Sequence, residues 1–345
     1  MNNFYSQILF SPCRTELLGV TEYNELILYD MNSLQDGSVE SSTVENARVE
    51  SSSVENANSI SRNSNSEDLN HTDSLEPNSG KYNRIELGKE TKKYRIGIEH
   101  EKATKYPDQI YSLDFYPFYN YSEQHKCFII SVKDHPPVLY DSTKFYQRQV
   151  YKTMKLGEHQ TPLTVKFNYS DIYCGFKNYV SVFDINGTEK EEIKVQGLIS
   201  CMDFGSLNLF GSFNGLITMY QDGYTNFIKE ENGITQIKQK DYLIIYSMRN
   251  GGIAIYDTRN MSGKLVERKA RNQRLYFDLD QKIVFGDLDG NIKEMDFNGN
   301  ILNTVRVDGT VSSVQYGNDA IAYSVGTREF IFDQKQNSFI DIIKY

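Results

Sequence analysis

Short hydrophobic runs separated by polar turns recur along the whole chain, and seven of them end in a bulky residue that is in most cases followed by Asp. The seven residues are Tyr29, Tyr140, Phe183, Tyr220, Tyr256, Met295 and Phe332. Apart from the first interval, they recur about every 36 to 43 residues. That period is typical of propeller blades of four short strands, in which an aromatic-Asp pair takes the place of the usual Trp-Asp. The pattern predicts an all-β, seven-bladed WD40-like β-propeller.

A polar interruption near the start divides this repeat. Runs at residues 4–10, 16–21 and 25–30 predict blade one within residues 1–31. Residues 32–88 are rich in Ser, Asn and Glu, a composition that predicts a disordered acidic insert. Residues 89–345 are predicted to form blades two to seven of the same propeller. In the last blade we expect strands at 310–316, 320–325 and 329–333, and an outer strand at 339–345 that closes the ring without the usual strand exchange.

Three later blades contain a Gly-based turn signal between two hydrophobic runs. The signals are Asn214-Gly215, Asn250-Gly251 and Asp289-Gly290. Such dipeptides supply the positive φ angles of a two-residue hairpin turn. We therefore expect a tight hairpin between the second and third strands of each of these blades.

The formal net charge of −9 is concentrated in the insert, because residues 32–80 contain nine acidic and two basic side chains. The rest of the chain is close to neutral, so the acidic balance argues only weakly against an RNA partner. No apolar run approaches the length of a membrane helix, and the first residues do not resemble a secretory signal. These features predict an intracellular protein. The four dispersed cysteines are expected to be small buried residues in a reducing compartment.

Catalytic and metal-binding patterns were sought and not found in the sequence. The five histidines form no zinc-ligand spacing, and no nucleophile elbow or phosphate-binding glycine loop is present. We also find no Asp or Glu pair at equivalent blade positions, where propeller hydrolases carry their carboxylates. The sequence therefore predicts a protein that is not an enzyme and has no cofactor or metal.

Basic residues cluster in three segments outside the insert: residues 81–105, 144–155 and 259–274. All three are expected in outer strands or in connectors between blades, and tyrosines are interspersed with them. A shared basic face with aromatic rings would suit phosphate neutralisation and base stacking on RNA. Solvated outer strands, where Lys protects exposed edges, explain the same pattern. The candidate contact residues here are Lys92, Lys93, Arg148, Lys152, Arg268, Lys269 and Arg271.

One string resembles a known family. Residues 272–280 read Asn-Gln-Arg-Leu-Tyr-Phe-Asp-Leu-Asp, which is similar to the sixth-blade motif of the telomerase Cajal-body protein family of WD-repeat proteins. The Cys-Gly-Phe string beginning at Cys174 and the Ile-Ser-Cys string beginning at Ile199 resemble two further strands of that family. The long extensions of the animal members are absent from this chain. The resemblance is therefore greatest to the short fungal branch, which acts in pre-mRNA splicing.

The resemblance implies a nuclear, non-enzymatic protein that associates with spliceosomal small nuclear ribonucleoproteins, as a monomer within a larger complex. Leu275, Phe277 and Leu279 alternate as core positions of an inner strand should. Gln273 and Arg274 precede that strand without a packing requirement, and we expect them to contact RNA or a partner, since Arg binds phosphate or guanine and Gln can read a base edge. Two alternatives remain: a protein-only scaffold or substrate adaptor, and a factor that binds and localises small guide RNAs.

Overall fold

The protein is described by a computed structural model that covers residues 5–31, 92–95, 102–221, 224–268, 274–317, 320–326 and 339–344. These residues form 29 β-strands and a single turn of 3-10 helix at Glu123–His125. All strand pairs are antiparallel, and segments from all of the sheets line one central channel. The predicted all-β propeller is therefore confirmed.

The strands are short and follow one another closely. The first nine are β1 (Tyr5–Phe10), β2 (Glu16–Thr21), β3 (Glu25–Asp30), β4 (Lys92–Arg95), β5 (Lys102–Lys105), β6 (Ile110–Phe115), β7 (Cys127–Val132), β8 (Val138–Asp141) and β9 (Gln147–Val150). The next nine are β10 (Met154–Lys155), β11 (Glu158–His159), β12 (Thr164–Asn168), β13 (Asp171–Gly175), β14 (Lys177–Phe183), β15 (Glu189–Phe204), β16 (Asn208–Ser212), β17 (Leu216–Gln221) and β18 (Tyr224–Lys229). The last eleven are β19 (Ile234–Lys240), β20 (Leu243–Met248), β21 (Ile253–Asp257), β22 (Ser262–Val266), β23 (Phe277–Leu279), β24 (Ile283–Gly286), β25 (Asn291–Met295), β26 (Ile301–Arg306), β27 (Thr310–Tyr316), β28 (Ala320–Gly326) and β29 (Phe339–Lys344).

The described strands form six sheets around the channel and one two-stranded ribbon, β10-β11. We number the sheets as first (β1-β2-β3-β5), second (β6 to β9), third (β12 to β18), fourth (β19 to β22), fifth (β23 to β26) and sixth (β27-β28-β29-β4). Five of them have four strands, and the third has seven. The described strands therefore do not form the seven separate four-stranded blades that the sequence predicted.

The seven-stranded sheet results from the length of β15. Its first part pairs with β14 up to Leu198, and its second part pairs with β16 from Ile199 onward. Next to this change of partner lies Gly197, whose φ of 100° a residue with a side chain rarely adopts. The chain thus passes from an outermost strand to an innermost strand without a loop.

The ring closes by an exchange of strands, so the prediction of closure without exchange was wrong. In the sixth sheet β29 is the third strand, paired with β28, and not the outer strand. The outermost strand is β4, which pairs with β29 and follows residues 32–91 in the chain. The first sheet is completed by β5, which pairs with β3. Residues 32–88 and 329–333, for which an insert and a strand were predicted, lie outside the described residues.

The core lies between neighbouring sheets and is filled by alternate side chains of their strands. Between the first and second sheets, Leu18 and Leu26 pack with Phe128 and Tyr140, whose rings stack 5.7 Å apart. The hydroxyl of the fully buried Tyr119 donates a hydrogen bond to the carboxylate of Glu16 in the first sheet. Burial of this kind on both faces of a sheet explains the dense hydrophobic runs.

The three Gly-based turns were predicted in the right places but with the wrong length. In each of them the backbone hydrogen bonds of the turn enclose three residues (213–215, 249–251 and 288–290), and only the Gly that ends the turn has a positive φ: Gly215 (79°), Gly251 (98°) and Gly290 (79°). This is the three-residue hairpin, in which Gly occupies the left-handed position after a type I turn. The first turn residue in two of these hairpins, Phe213 and Arg249, points to the channel mouth described below.

Candidate functional site at the channel mouth

The central channel opens on one face of the propeller in a cavity of about 500 Å³, which we call the channel mouth. It lies where the innermost strands begin, and all six sheets contribute to its lining. Its lining includes two arginines, Arg249 and Arg274, and three aromatic residues, Tyr111, Phe213 and Tyr276. No acidic side chain is found among the described residues that line this cavity. The mouth therefore combines positive charge with aromatic surface.

Arg274 reaches across the mouth from the fifth sheet to the second. Its Nη1 donates a hydrogen bond to the carbonyl oxygen of Tyr111 at 3.2 Å, and its guanidinium carbon lies 5.1 Å from the centre of the Phe213 ring. These contacts hold the guanidinium at the mouth through a hydrogen bond and a cation–π interaction. Its remaining N–H groups leave donor capacity for an anion.

A second cavity of about 710 Å³, which we call the side groove, adjoins the mouth and shares Tyr111, Leu163 and Leu198 with it. Three lysines line the groove: Lys155, Lys177 and Lys194. The Lys155 ammonium lies 3.5 Å from the centre of the Tyr179 ring and 2.8 Å from a carboxylate oxygen of Glu192. Phe176 stacks on the same tyrosine, with ring centres 4.7 Å apart. An aromatic stack covered by a cation thus forms one wall of the groove.

The mouth and the side groove are positively charged within a protein of net charge −9. Five basic side chains line the two cavities, against the two acidic side chains of Asp134 and Glu192. Among the described residues, Lys177, Lys194 and Arg249 have no carboxylate within salt-bridge distance. Because these three charges are exposed and not neutralised by neighbours, they can bind an anionic partner.

Deeper in the channel, charged side chains alternate from one innermost strand to the next. They are Asp114, Lys166, Asp203, Lys238 and Asp278, on β6, β12, β15, β19 and β23. Each Asp accepts a hydrogen bond from a backbone N–H of the neighbouring innermost strand: Phe167 at 2.9 Å, Gln239 at 2.7 Å and Tyr316 at 2.9 Å. The expectation that no carboxylates occupy equivalent blade positions was therefore wrong.

We call these five alternating charged residues the charged ring, and in it the lysines neutralise aspartates. Lys166 lies 3.4 Å from Asp203, and Lys238 forms an ion pair with Asp278. Burial raises the pKa of Asp114 despite the nearby Lys166. Burial alone would lower the pKa of Lys166, but the carboxylates of Asp114 and Asp203 outweigh it and raise that pKa above its ordinary value. Because each carboxylate is already engaged between two strands, the ring acts as a connection between sheets.

The structure places two of the predicted contact residues in structural roles. Arg268 is only 6% exposed, and it donates to the carbonyl oxygens of Gly251 at 2.9 Å and Leu275 at 3.2 Å. Burial lowers the pKa of its guanidinium to about 10. Arg148 forms an ion pair with the buried Asp141. Both arginines connect parts of the protein, so neither guanidinium is presented on an open face.

The other predicted residues are dispersed. Arg274 lines the mouth, as described above, whereas Lys152 is exposed in the connector between β9 and β10. The backbones of Lys92 and Lys93 belong to β4, at the outer edge of the sixth sheet. Three further candidates lie outside the described residues: Lys269, Arg271 and Gln273. The structure thus brings one predicted residue, Arg274, to the channel mouth.

Lys155 of the groove belongs to the predicted basic segment 144–155, whereas Phe213, Lys177, Lys194 and Arg249 were not predicted as contact residues. Arg249 and Phe213 each stand directly before an Asn-Gly pair, so the first position of the hairpin turn was an available signal. Lys177 on β14 pairs with Leu198, and Lys194 on β15 pairs with Tyr179. No local sequence pattern indicates that the pairing of these two strands brings the two lysines to the same groove. No cluster of His, Cys, Asp and Glu that could hold a metal ion is present in the described part of the chain. Nor does that part contain a helix long and apolar enough to cross a membrane.

No known family model matches this chain, and no curated protein matches it either.

Proposed function

We propose that this protein is a non-enzymatic, nuclear propeller that acts in pre-mRNA splicing by associating with spliceosomal small nuclear ribonucleoproteins. The observation that carries the proposal is the channel mouth, where Arg249 and Arg274 lie among three aromatic side chains and the described lining contains no acidic residue. Such a surface suits RNA or an RNA-bound partner. The resemblance of residues 272–280 to the telomerase Cajal-body protein family supports the same function. In this role the protein is a monomer within a larger complex.

Within this proposal the propeller has seven blades. Seven innermost segments line the channel, and the third sheet is counted as two blades that share β15. The change of partner between Leu198 and Ile199 is then the boundary between the outer strand of one blade and the inner strand of the next. A ring of this size presents the mouth as a docking platform, which is how propellers commonly act.

Crosslinking and immunoprecipitation of the tagged protein from nuclear extract tests the proposal. We expect enrichment of spliceosomal small nuclear RNAs and their core proteins, and a loss of at least part of this enrichment in Arg249→Glu. Lys144→Glu, in the exposed turn between β8 and β9, is the matched control because it changes the same charge away from the mouth. Equal recovery from all three proteins would contradict the role of the mouth.

The same experiment separates the two alternatives. Recovery of partner proteins without RNA would favour a protein-only scaffold or substrate adaptor, and selective recovery of guide-type small RNAs would favour a localisation factor. Unchanged intron retention after deletion of the gene, in a strain already impaired in splicing, would refute a splicing role.

A further inference from the structure

Tyr111 occupies the junction of the two cavities, since it lines both the channel mouth and the side groove. It is half-buried, and no other aromatic ring of the described residues packs against it. Its backbone carbonyl is held by Arg274, which fixes the position of the residue at the junction. A half-buried ring that no other ring covers is a platform on which a base can stack.

Positive charges flank this platform on both sides. Arg249 and Arg274 lie on the mouth side, and Lys177 and Lys194 lie on the groove side. The two cavities share Tyr111, Leu163 and Leu198 in their lining, so the charges of the mouth and those of the groove lie on either side of these residues. Charges along a path with an aromatic ring between them match a polymer that alternates phosphates and bases.

We propose that the side groove and the channel mouth form one binding site for single-stranded RNA, in which a base stacks on Tyr111 and phosphates contact Lys177, Lys194 and Arg249. This inference rests on the proposed function, and it identifies the part of a ribonucleoprotein that the face contacts. Double-stranded RNA does not fit the same chemistry, because its bases are already stacked and paired. An acidic peptide would use the charges but would have no need of the exposed ring.

The test measures binding of a fluorescently labelled oligouridylate to the purified full-length chain by fluorescence anisotropy over a series of salt concentrations. Competition by unlabelled duplex RNA and by polyglutamate tests the two other occupants. For the wild-type protein we expect salt-dependent binding that duplex RNA and polyglutamate displace only weakly. Binding of polyglutamate as tight as that of the oligouridylate would overturn the assignment to RNA.

Two sets of variants test the groove itself. Lys177→Glu with Lys194→Glu should weaken binding about tenfold or more and should reduce the salt-dependence slope by about 1.4, which corresponds to two lost phosphate contacts. Lys144→Glu with Lys229→Glu is the matched control, because both lysines are exposed and neither lines a cavity of this site. Equal losses of RNA affinity in the two double variants would overturn the proposal, because binding would then depend on the net charge of the protein and not on the groove.

Stacking is tested at Tyr111, where Tyr111→Phe keeps the ring and Tyr111→Leu removes it. We expect the Phe variant to bind as the wild type does and the Leu variant to bind roughly 5- to 150-fold more weakly, the usual effect of one lost base–aromatic stack. Equal binding by both variants, with unchanged thermal unfolding, would refute stacking on this ring. If small nuclear RNAs are recovered from extract but these variants bind normally, the groove assignment fails and the proposed function stands. If the groove binds RNA but no spliceosomal RNA is recovered from extract, the groove assignment stands and the proposed function fails.

Discussion

Replacing Asp278 with Ala should destabilise the propeller by about 3 kcal/mol, because this carboxylate connects three elements at the channel wall. It is 6% exposed, accepts hydrogen bonds from the backbone N–H groups of Leu279 at 2.8 Å and Tyr316 at 2.9 Å, and forms an ion pair with Lys238. The variant leaves these donors without their acceptor. A buried donor without a partner costs about 1–3 kcal/mol, and breaking a buried ion pair costs about 3–5 kcal/mol.

For the broken ion pair the lower end of the range, about 3 kcal/mol, applies here. The Lys238 side chain keeps 25% exposure, so that water in the channel can solvate its ammonium. Asp278→Asn keeps an oxygen that accepts from Tyr316 and loses only the charge, so we expect a loss of about 1–2 kcal/mol. Lys238→Met, combined with Asp278→Asn in a double-mutant cycle, should give a coupling energy of about 1–2 kcal/mol.

Urea unfolding followed by far-ultraviolet circular dichroism measures these differences, since the chain has no tryptophan for fluorescence. The midpoint should shift without a change in the slope. A loss below about 1 kcal/mol for Asp278→Ala would refute the argument that this carboxylate connects the sheets. An equal loss for Ala and Asn would show that only the charge matters and that the bond to Tyr316 contributes nothing.

Three further predictions concern single residues elsewhere in the ring. Tyr119→Phe should cost about 1–2 kcal/mol in urea unfolding, because the buried hydroxyl bonds side chains of the first and second sheets; an unchanged midpoint would show that the bonds are dispensable. Gly215→Ala should lower the free energy of unfolding by about 1–3 kcal/mol, because φ is 79° and a Cβ atom would lie 2.2 Å from a backbone oxygen; Gly263→Ala, whose nearest contact would be 3.4 Å, is the matched control. Burial alone would raise the pKa of Asp141, but hydrogen bonds from Thr143 and Arg148 outweigh it and lower that pKa to about 2 from its ordinary 3.8. The ionised carboxylate therefore stabilises the fold above the ordinary pKa and loses this contribution as the pH falls toward 2, so the difference in Tm between wild type and Asp141→Asn should narrow from about pH 5 to about pH 2; a constant difference would contradict the shift.

Local patterns in the sequence were sufficient for the repeat. Tyr140, Phe183 and Tyr256 lie at or near the ends of the third strands of their repeats, as predicted, because an alternating hydrophobic run with a polar stop is a local property. The Gly positions of the hairpins were also correct, because positive φ is a demand that few other residues meet. The turn length was wrong because Asn-Gly suits both two-residue and three-residue hairpins.

Pairings between distant residues could not be predicted. Lys92 pairs with Lys344 in the sixth sheet, and nothing local to either residue indicates the other. The charged ring was missed for a similar reason, since Asp114 and Lys166 occupy equivalent positions with opposite charges and so do not form a visible repeat. A run of basic residues also does not show which side chains point into the protein. For this reason the burial of Arg268 was not predicted.

The position of β4 has a consequence for synthesis on the ribosome. This strand is made early, but its partner β29 (Phe339–Lys344) follows much later in the chain, so β4 stays without that partner until β29 has been synthesised. Until then the sixth sheet has an unpaired edge, which invites pairing with other chains. A nonsense codon between β28 and β29 would therefore do more than shorten the product. It would leave β28 and β4 as two open edges on one molecule, and such a fragment would be a substrate for chaperones and proteases and not a smaller propeller.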